Sequence, residues 1–442
     1  MRRVGIGLLC VLLAIVLGSE CLGARTPTQP HPPHPGRPAP ELEAAYRAVQ
    51  SNGGIGDEEK VKDAIQTYLG LKAQSLVLGE ALDLGIVIDQ SVESGRNLCS
   101  YELGLLEYRL FCWKKGAIVH IACTYDPIYH RVEISGTTAR VTLDLSGLYS
   151  HEAPVPPALF SGEPHTITLN LSEDGWLLLT DDYRNEAVDC FPPGTDFAAL
   201  EASYDQRTRA REREEARMLE ELVRQRASDL QVGTLSTYSY MNRVTASNYG
   251  KTYSDDAGYV RTNYNYPAFY EWCTTDNNGD GLPDHSDCQN FASQCVWSGF
   301  GGTNSGIESH VQPMVKDVSG AADWWCDGSS SGGYTGTNWS WTGCTQFRDM
   351  AISNRSYDKI GVQGYSAPRS EVDLADLVYH WPNYEHVLVV VGRSDTNGNG
   401  VLDYAEIYVS AHSYNHCNYP LHDVYEDENY VRYFRIQRYR IS

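Results

Sequence analysis

The sequence predicts an α+β protein built in two successive parts. The first part reads as a helix followed by a run of antiparallel strands. The second reads as a buried helix that opens at Cys288, then two strong strands at 387–392 and 407–411. Between them the segment from Arg207 to Gln225 alternates Glu and Arg at helical spacing, the pattern of a solvated helix.

The elements follow in order. Arg2 and Arg3 precede a nearly continuous apolar run from Val4 to Gly18, and small residues follow at Ser19, Gly23 and Ala24. This is the layout of a signal peptide over 1–24, and the run is short for a spanning helix, which needs roughly 20 apolar residues. An uncleaved anchor is the alternative. Cys21 raises a lipoprotein reading, against which Glu20 is a poor neighbour for cleavage. No second apolar stretch is long enough to span, so the mature chain is expected outside the membrane, secreted or wall-associated. Residues 25–57 are expected as a spacer, proline-rich from Thr26 to Pro40.

A first domain is expected over 58–198. It opens with a helix from about Glu58 to Glu80, carrying Val61, Ile65, Tyr68, Leu69 and Leu71. Strand-like pieces follow at 107–113, 117–125, 132–134, 139–143, 165–171 and 175–180. Cys99, Cys112, Cys123 and Cys190 fall here and allow two bridges in three pairings. Residues 199–231 are expected as the charged linker. At Val232 the composition shifts to Tyr, Asn, Gly, Ser and Trp, which marks the second domain, 232–442.

Charge excludes one class of partner. The 442 residues carry a formal net charge of −22, which repels nucleic acid and suits a protein that holds calcium. Twelve cysteines fit export.

A reactive cysteine needs a lowered pKa, exposure and a nearby base. Cys288 follows a Gly, Asn, Asp and Pro-rich loop and precedes Phe291, Ala292, Cys295 and Val296 at helical spacing. With Asp287 as N-cap, Cys288 opens a helix whose dipole favours a thiolate and whose N–H groups can serve an oxyanion. Cys295 lies about 10 Å further along the axis and reads as a core thiol. Asn290 and Gln294 either support the site or pack.

The run Asp287-Cys288-Gln289-Asn290-Phe291-Ala292-Ser293-Gln294 resembles the signature of the putative amidase domain family, a branch of the papain-like NlpC/P60 and CHAP-type superfamily. Supporting pieces match upstream (Tyr240 to Val244, Asn265 to Tyr270), between (Trp324-Trp325, Trp339 to Thr342) and downstream (Glu385 to Gly392, Val409 to His412). The resemblance implies a papain-like cysteine amidase with the order Cys, His, polar residue. It carries the base role onto His386, at the mouth of a strand, and favours His412 as third member, with Asn415 as runner-up. Pairing the two strands as a hairpin brings His386 near 412–415, without choosing between them. The pieces His165 to Leu171, Glu173 to Trp176 and Asp181 to Arg184 resemble, more loosely, the closing strands of NTF2-like domains that precede amidase domains in secreted proteins of Gram-positive Firmicutes. That setting implies an ancillary role.

Two loops fit a twelve-residue calcium pattern, in which oxygen ligands alternate around a central glycine. The first offers Asp276, Asn278, Asp280, Leu282, Asp284 and Asp287. The second offers Asp395, Asn397, Asn399, Val401, Asp403 and Glu406. One ends beside Cys288 and the other lies in the hairpin that carries His386, so Ca2+ is expected to order both sides of the site. An Asx-rich turn without metal is the bland alternative.

The expected function is hydrolysis of an amide bond, with cell-wall peptide or a similar amide as the substrate that the resemblance implies. A transglutaminase-like acyl transfer is the chemical neighbour, and the Asp-Cys motif argues against it. The non-enzymatic alternative is a calcium-stabilised wall-binding module. No C-x-x-C pair is present to support a zinc protein.

Overall fold

The computed structural model of the protein describes residues 39–152, 157–183, 185–229, 237–254, 287–302, 313–326, 337–384, 386–395, 398, 402–412 and 416–442. It is mixed α+β, with two antiparallel sheets. Among the described residues no helix is long and apolar enough to cross a membrane.

Helix α1 (Ala39–Ser51) occupies part of the expected spacer. It is docked rather than extended: Tyr46 is buried, and its hydroxyl donates to the Trp176 carbonyl at 2.7 Å. Helix α2 (Asp57–Leu78) starts on Asp57, Glu58 and Glu59, which suit the helix dipole, and stops at Gly79 in the left-handed region at φ 71°. Its Val61, Ile65, Tyr68 and Leu69 enter the core, as their spacing predicts.

Helix α3 (Glu93–Lys115) corrects one expectation, because the strand expected at 107–113 is its last two turns. Leu106, Leu110 and Trp113 face one cluster while Leu105, Tyr108 and Cys112 face another. Burial on two sides erases the polar gap that marks a surface helix, so a short window of it imitates a strand.

Strands β1 (His120–Ser135), β2 (Thr138–His151), β3 (Ala158–Ser172) and β4 (Gly175–Tyr183) form an antiparallel meander. The expected pieces at 117–125 and 132–134 merge into β1. On β2, Ala139, Val141, Leu143 and Leu145 point inward against α2, the period-two pattern of a half-buried strand. Cys99, Cys112, Cys123 and Cys190 are thiols, so the two bridges expected here are not formed. Cys99 and Cys112 share α3 about 20 Å apart along its axis, beyond disulfide reach.

Helix α4 (Glu186–Cys190) is a single turn, capped by the Asn185 side chain accepting from Val188 N–H. Helix α5 (Phe197–Asp229) contains the charged segment. It does more than bridge: Arg207 pairs with Asp427 at 2.7 Å, Arg211 with Glu428 at 2.8 Å, and Leu222 is buried against Tyr365 and Ala367.

The second sheet holds β5 (Tyr238–Ser239), β6 (Gly361–Ala367), β7 (Leu377–His380), β8 (Val387–Arg393), β9 (Ile407–Ala411), β10 (His416–Pro420) and β11 (Val431–Arg440). The order is β10-β9-β8-β7-β11-β5, with β6 also paired to β11. Helices α6 (Arg243–Thr252), α7 (Cys288–Gly299), α8 (Trp339–Thr342), α9 (Cys344–Ser356) and α10 (Leu421–Val424) complete this half. Val387, Val389 and Val391 of β8 meet Phe291, Ala292, Cys295 and Val296 of α7. Leu388 and Val390 face the opposite way and share a cluster with Leu106, Leu110, Trp113 and Tyr149. The two halves therefore have a common core. Arg109 to Glu426 at 2.5 Å and Tyr108 to Asp427 at 2.6 Å fasten its edge.

Candidate functional site

Cys288 is the first residue of α7, and the whole helix is buried. Phe291 stacks on the His412 ring with centroids 3.9 Å apart. Ser293 donates to the Trp341 carbonyl at 2.7 Å, and Trp341 Nε1 donates to Asn290 Oδ1 at 2.7 Å. Tyr249 donates to Gln294 at 2.6 Å and Tyr379 to Gln289 at 3.3 Å. Asn290 and Gln294 thus lock the helix in place, and the tryptophan pieces of the sequence pattern pack on it.

Asp287 sits at the N-cap position but makes no cap bond with its side chain. Its Oδ1 accepts from Asn290 at 2.8 Å, and its Oδ2 lies 2.7 Å from His412 Nδ1. The other ring nitrogen of His412 meets the Tyr253 carbonyl at 2.5 Å. His412 therefore serves Asp287 and is not the group that bonds His386. It continues the face of β9 that carries Ser410, toward α6, whereas the third-member role needs the neighbourhood of His386.

His386 precedes β8, which pairs with β9 as the expected hairpin. Its ring is hydrogen-bonded to the Cys288 thiol group. Burial pulls the imidazole down, but the charge and hydrogen bond of Cys288, together with Glu186 and Asp189, lift it above its ordinary value. Nε2 lies 3.9 Å from Glu186 Oε1, and the same oxygen is 2.7 Å from His416 Nε2. Glu186 comes from α4 of the N-terminal half. No local pattern in the sequence marks it, because only the packing of the halves brings it here. A second residue absent from the sequence reading is Cys344, the first residue of α9, whose Sγ is 3.7 Å from that of Cys288.

A second cysteine–histidine pair stands behind the first. Cys190 Sγ is 3.1 Å from His380 Nε2. Burial, then the carboxylates of Glu426, Glu186, Asp189 and Asp427, push this thiol well up. Burial, then His386, pull His380 down to about 4. Both groups are therefore neutral near pH 7.

Residues 240–435 match the family model described as Putative amidase domain. That segment belongs to this family. The description points to amide-bond hydrolysis, and the matched amidase segment contains Cys288, His386 and His412 but neither Glu186 nor Cys190. No curated protein matches the chain. Three solved structures are similar to part of it. The Kfla4162 protein from Kribbella flavida is 21% identical, covers 29% of this chain and 91% of its own, and has a TM-score of 0.21. A putative aromatic ring hydroxylase from Novosphingobium aromaticivorans DSM is 14% identical, with coverages of 28% and 90% and a TM-score of 0.21. The intermembrane space region of the chloroplast protein ARC6 is 14% identical, with coverages of 29% and 97% and a TM-score of 0.20. Scores this low carry no weight for the fold or the site.

Of the expected calcium ligands, Asp276, Asn278, Asp280, Leu282, Asp284, Asn397, Asn399 and Val401 lie outside the described residues, as does Asn415. In the second loop Gly398 has φ 66°, while Gly400, the central glycine of the pattern, lies outside the described residues. Asp403 and Glu406 form a capping box at the end of the loop, with Asp403 N–H donating to Glu406 Oε2 at 2.9 Å. Asp395 is also described in this loop.

Proposed function

We propose that the protein is a secreted cysteine amidase in which Cys288 and His386 act as a thiolate–imidazolium pair. The observation that carries this reading is the hydrogen bond between His386 and a cysteine that opens a buried helix. The sulfur attacks the amide carbonyl carbon and forms an S–C bond. The first-turn N–H groups of α7 hold the developing oxyanion. His386 gives its proton to the departing nitrogen as the C–N bond breaks. Water, deprotonated by His386, then cleaves the thioester and restores the thiol.

Glu186 is the positioning residue in this scheme. Its carboxylate favours the charged imidazole and faces the ring edge away from Cys288. His412 holds Asp287, and through it the start of α7. The resemblance to wall-directed papain-like enzymes supports cell-wall peptides as the substrate class. Calcium is assigned to the loop 395–406, where the carboxylates of Asp395, Asp403 and Glu406 suit a hard cation. Bound there, calcium ties the hairpin that follows His386. Asp287, with both oxygens engaged, is not assigned as a ligand.

The test is hydrolysis of purified cell wall and muropeptides by the full chain with Ca2+, against Cys288→Ala. Release of new amines by the intact protein alone supports the reading. Equal release, or none from either folded protein together with no labelling of Cys288 by iodoacetamide, refutes it.

A further inference from the structure

Three imidazoles and one carboxylate converge where the N-terminal sheet meets α10. His120 and His151 are directly paired across β1 and β2, so their rings share one end of the hairpin. His422 and Asp423 come from α10, in the other half. All four side chains are at most 1% exposed. His151 Nε2 is 3.1 Å, His422 Nε2 3.0 Å and His120 Nε2 3.7 Å from Asp423 Oδ1. His422 Nε2 and His151 Nε2 are 3.4 Å apart. The ligand atoms of His120, His151 and Asp423 all lie within 4.8 Å of one another.

These spacings have a chemical meaning. A tetrahedral zinc ion with bonds of about 2.0–2.1 Å sets its ligand atoms roughly 3.3 Å apart. Hydrogen bonding within the cluster does not satisfy it. His120 Nε2 and Asp423 Oδ2 are buried with no hydrogen-bond partner. Buried polar atoms left in this state are costly, and a buried carboxylate among histidines is compensated by a cation. The walls are apolar and aromatic. Trp113 stacks on His120 with centroids 3.9 Å apart, and Tyr149 meets the same ring edge-on.

We propose that His120, His151 and Asp423 bind one divalent transition-metal ion, zinc by ligand type, which staples the N-terminal sheet to the C-terminal half. Imidazole and carboxylate together suit zinc over calcium, which takes oxygen ligands. The closed, buried setting makes the role structural rather than catalytic. The site is separate from Cys288 and does not depend on the amidase reading.

The experiment is metal analysis of the full chain, purified without chelator and reconstituted with Zn2+. Zinc close to one per chain is expected in the wild type and in His130→Ala, whose histidine is half exposed on the same strand β1. Zinc should fall at least tenfold in His151→Ala and in His120→Gln. Removal of zinc by a chelator should lower the wild-type Tm by about 5 °C or more. A wild type holding less than a tenth of an equivalent, or variants that hold as much as the wild type, would overturn the assignment. Where a variant does not fold, Co2+ added to the wild type decides. An intense visible spectrum of four-coordinate cobalt supports the site, and the weak spectrum of hydrated cobalt refutes it.

Discussion

Two cysteine–histidine pairs stand close together in this molecule, and they sit in different electrostatic settings. Cys190 and His380 are 3.1 Å apart, yet burial and four carboxylates keep the thiol protonated and the imidazole neutral. Cys288 opens a twelve-residue helix, and its partner His386 is held above its ordinary value. Contact between sulfur and imidazole is therefore not activation. The surrounding field decides, and the helix terminus is the part of that field which Cys190, the last residue of a five-residue turn, lacks. Glu186 acts on both pairs with one sign: negative charge favours the proton on His386 and on the Cys190 thiol alike.

The largest contrast is in turnover. Cys288→Ala should lower kcat/KM by at least about a thousandfold, whereas Cys190→Ala should leave it near wild type. Steady-state assay of both variants on one amide substrate reads this directly, and equal losses would erase the distinction between the pairs.

Asp287→Asn probes the helix start instead of the thiol. It leaves His412 facing an amide in a fully buried setting, and breaking a pair of this kind costs about 3–5 kcal/mol. Denaturant unfolding should show the loss, while the corresponding change at the exposed Asp205 should leave the unfolding midpoint nearly unchanged.

Glu186→Gln is next in size. It should lower kcat about tenfold to a hundredfold with little change in KM. The sign of its pH effect is set by charge. His386 lies above 6.5 in the folded protein, so the ion pair is complete below that value and is lost as pH rises through the folded value. Removing the carboxylate lowers the folded value, so the alkaline limb of kcat/KM should move to lower pH. A limb that stays in place would separate Glu186 from the proton on His386.

The smallest effect belongs to Asp403. Asp403→Ala removes the capping box at the hairpin tip, at a cost of about 1 kcal/mol, and should abolish any rise of Tm with added Ca2+. Comparing Tm with and without chelator in both proteins separates the cap from the metal.

Much of this site is legible in the sequence because its parts are local. The period of Phe291, Ala292, Cys295 and Val296 gives α7, and the valine run gives β8. The hairpin with β9 places 412 near 386 in register. Register carries no side-chain direction, however, so His412 reads as a partner of His386 when it belongs to Asp287. Short windows fail where an element is buried on two sides, as at 107–113. They fail altogether for Glu186 and for the histidine–aspartate cluster. His120 and His151 meet through strand pairing, and Asp423 arrives from the far end of the chain, so no spacing rule written for one segment contains them.

The carboxylate beside His386 and the cysteine that histidine serves lie on opposite sides of α5 in the chain. A cut within that helix would leave each fragment with part of the machinery and one side of the common core. Turnover then becomes a reporter of reassembly. Two separately expressed fragments should be individually silent and regain activity on mixing, in proportion to how well they dock.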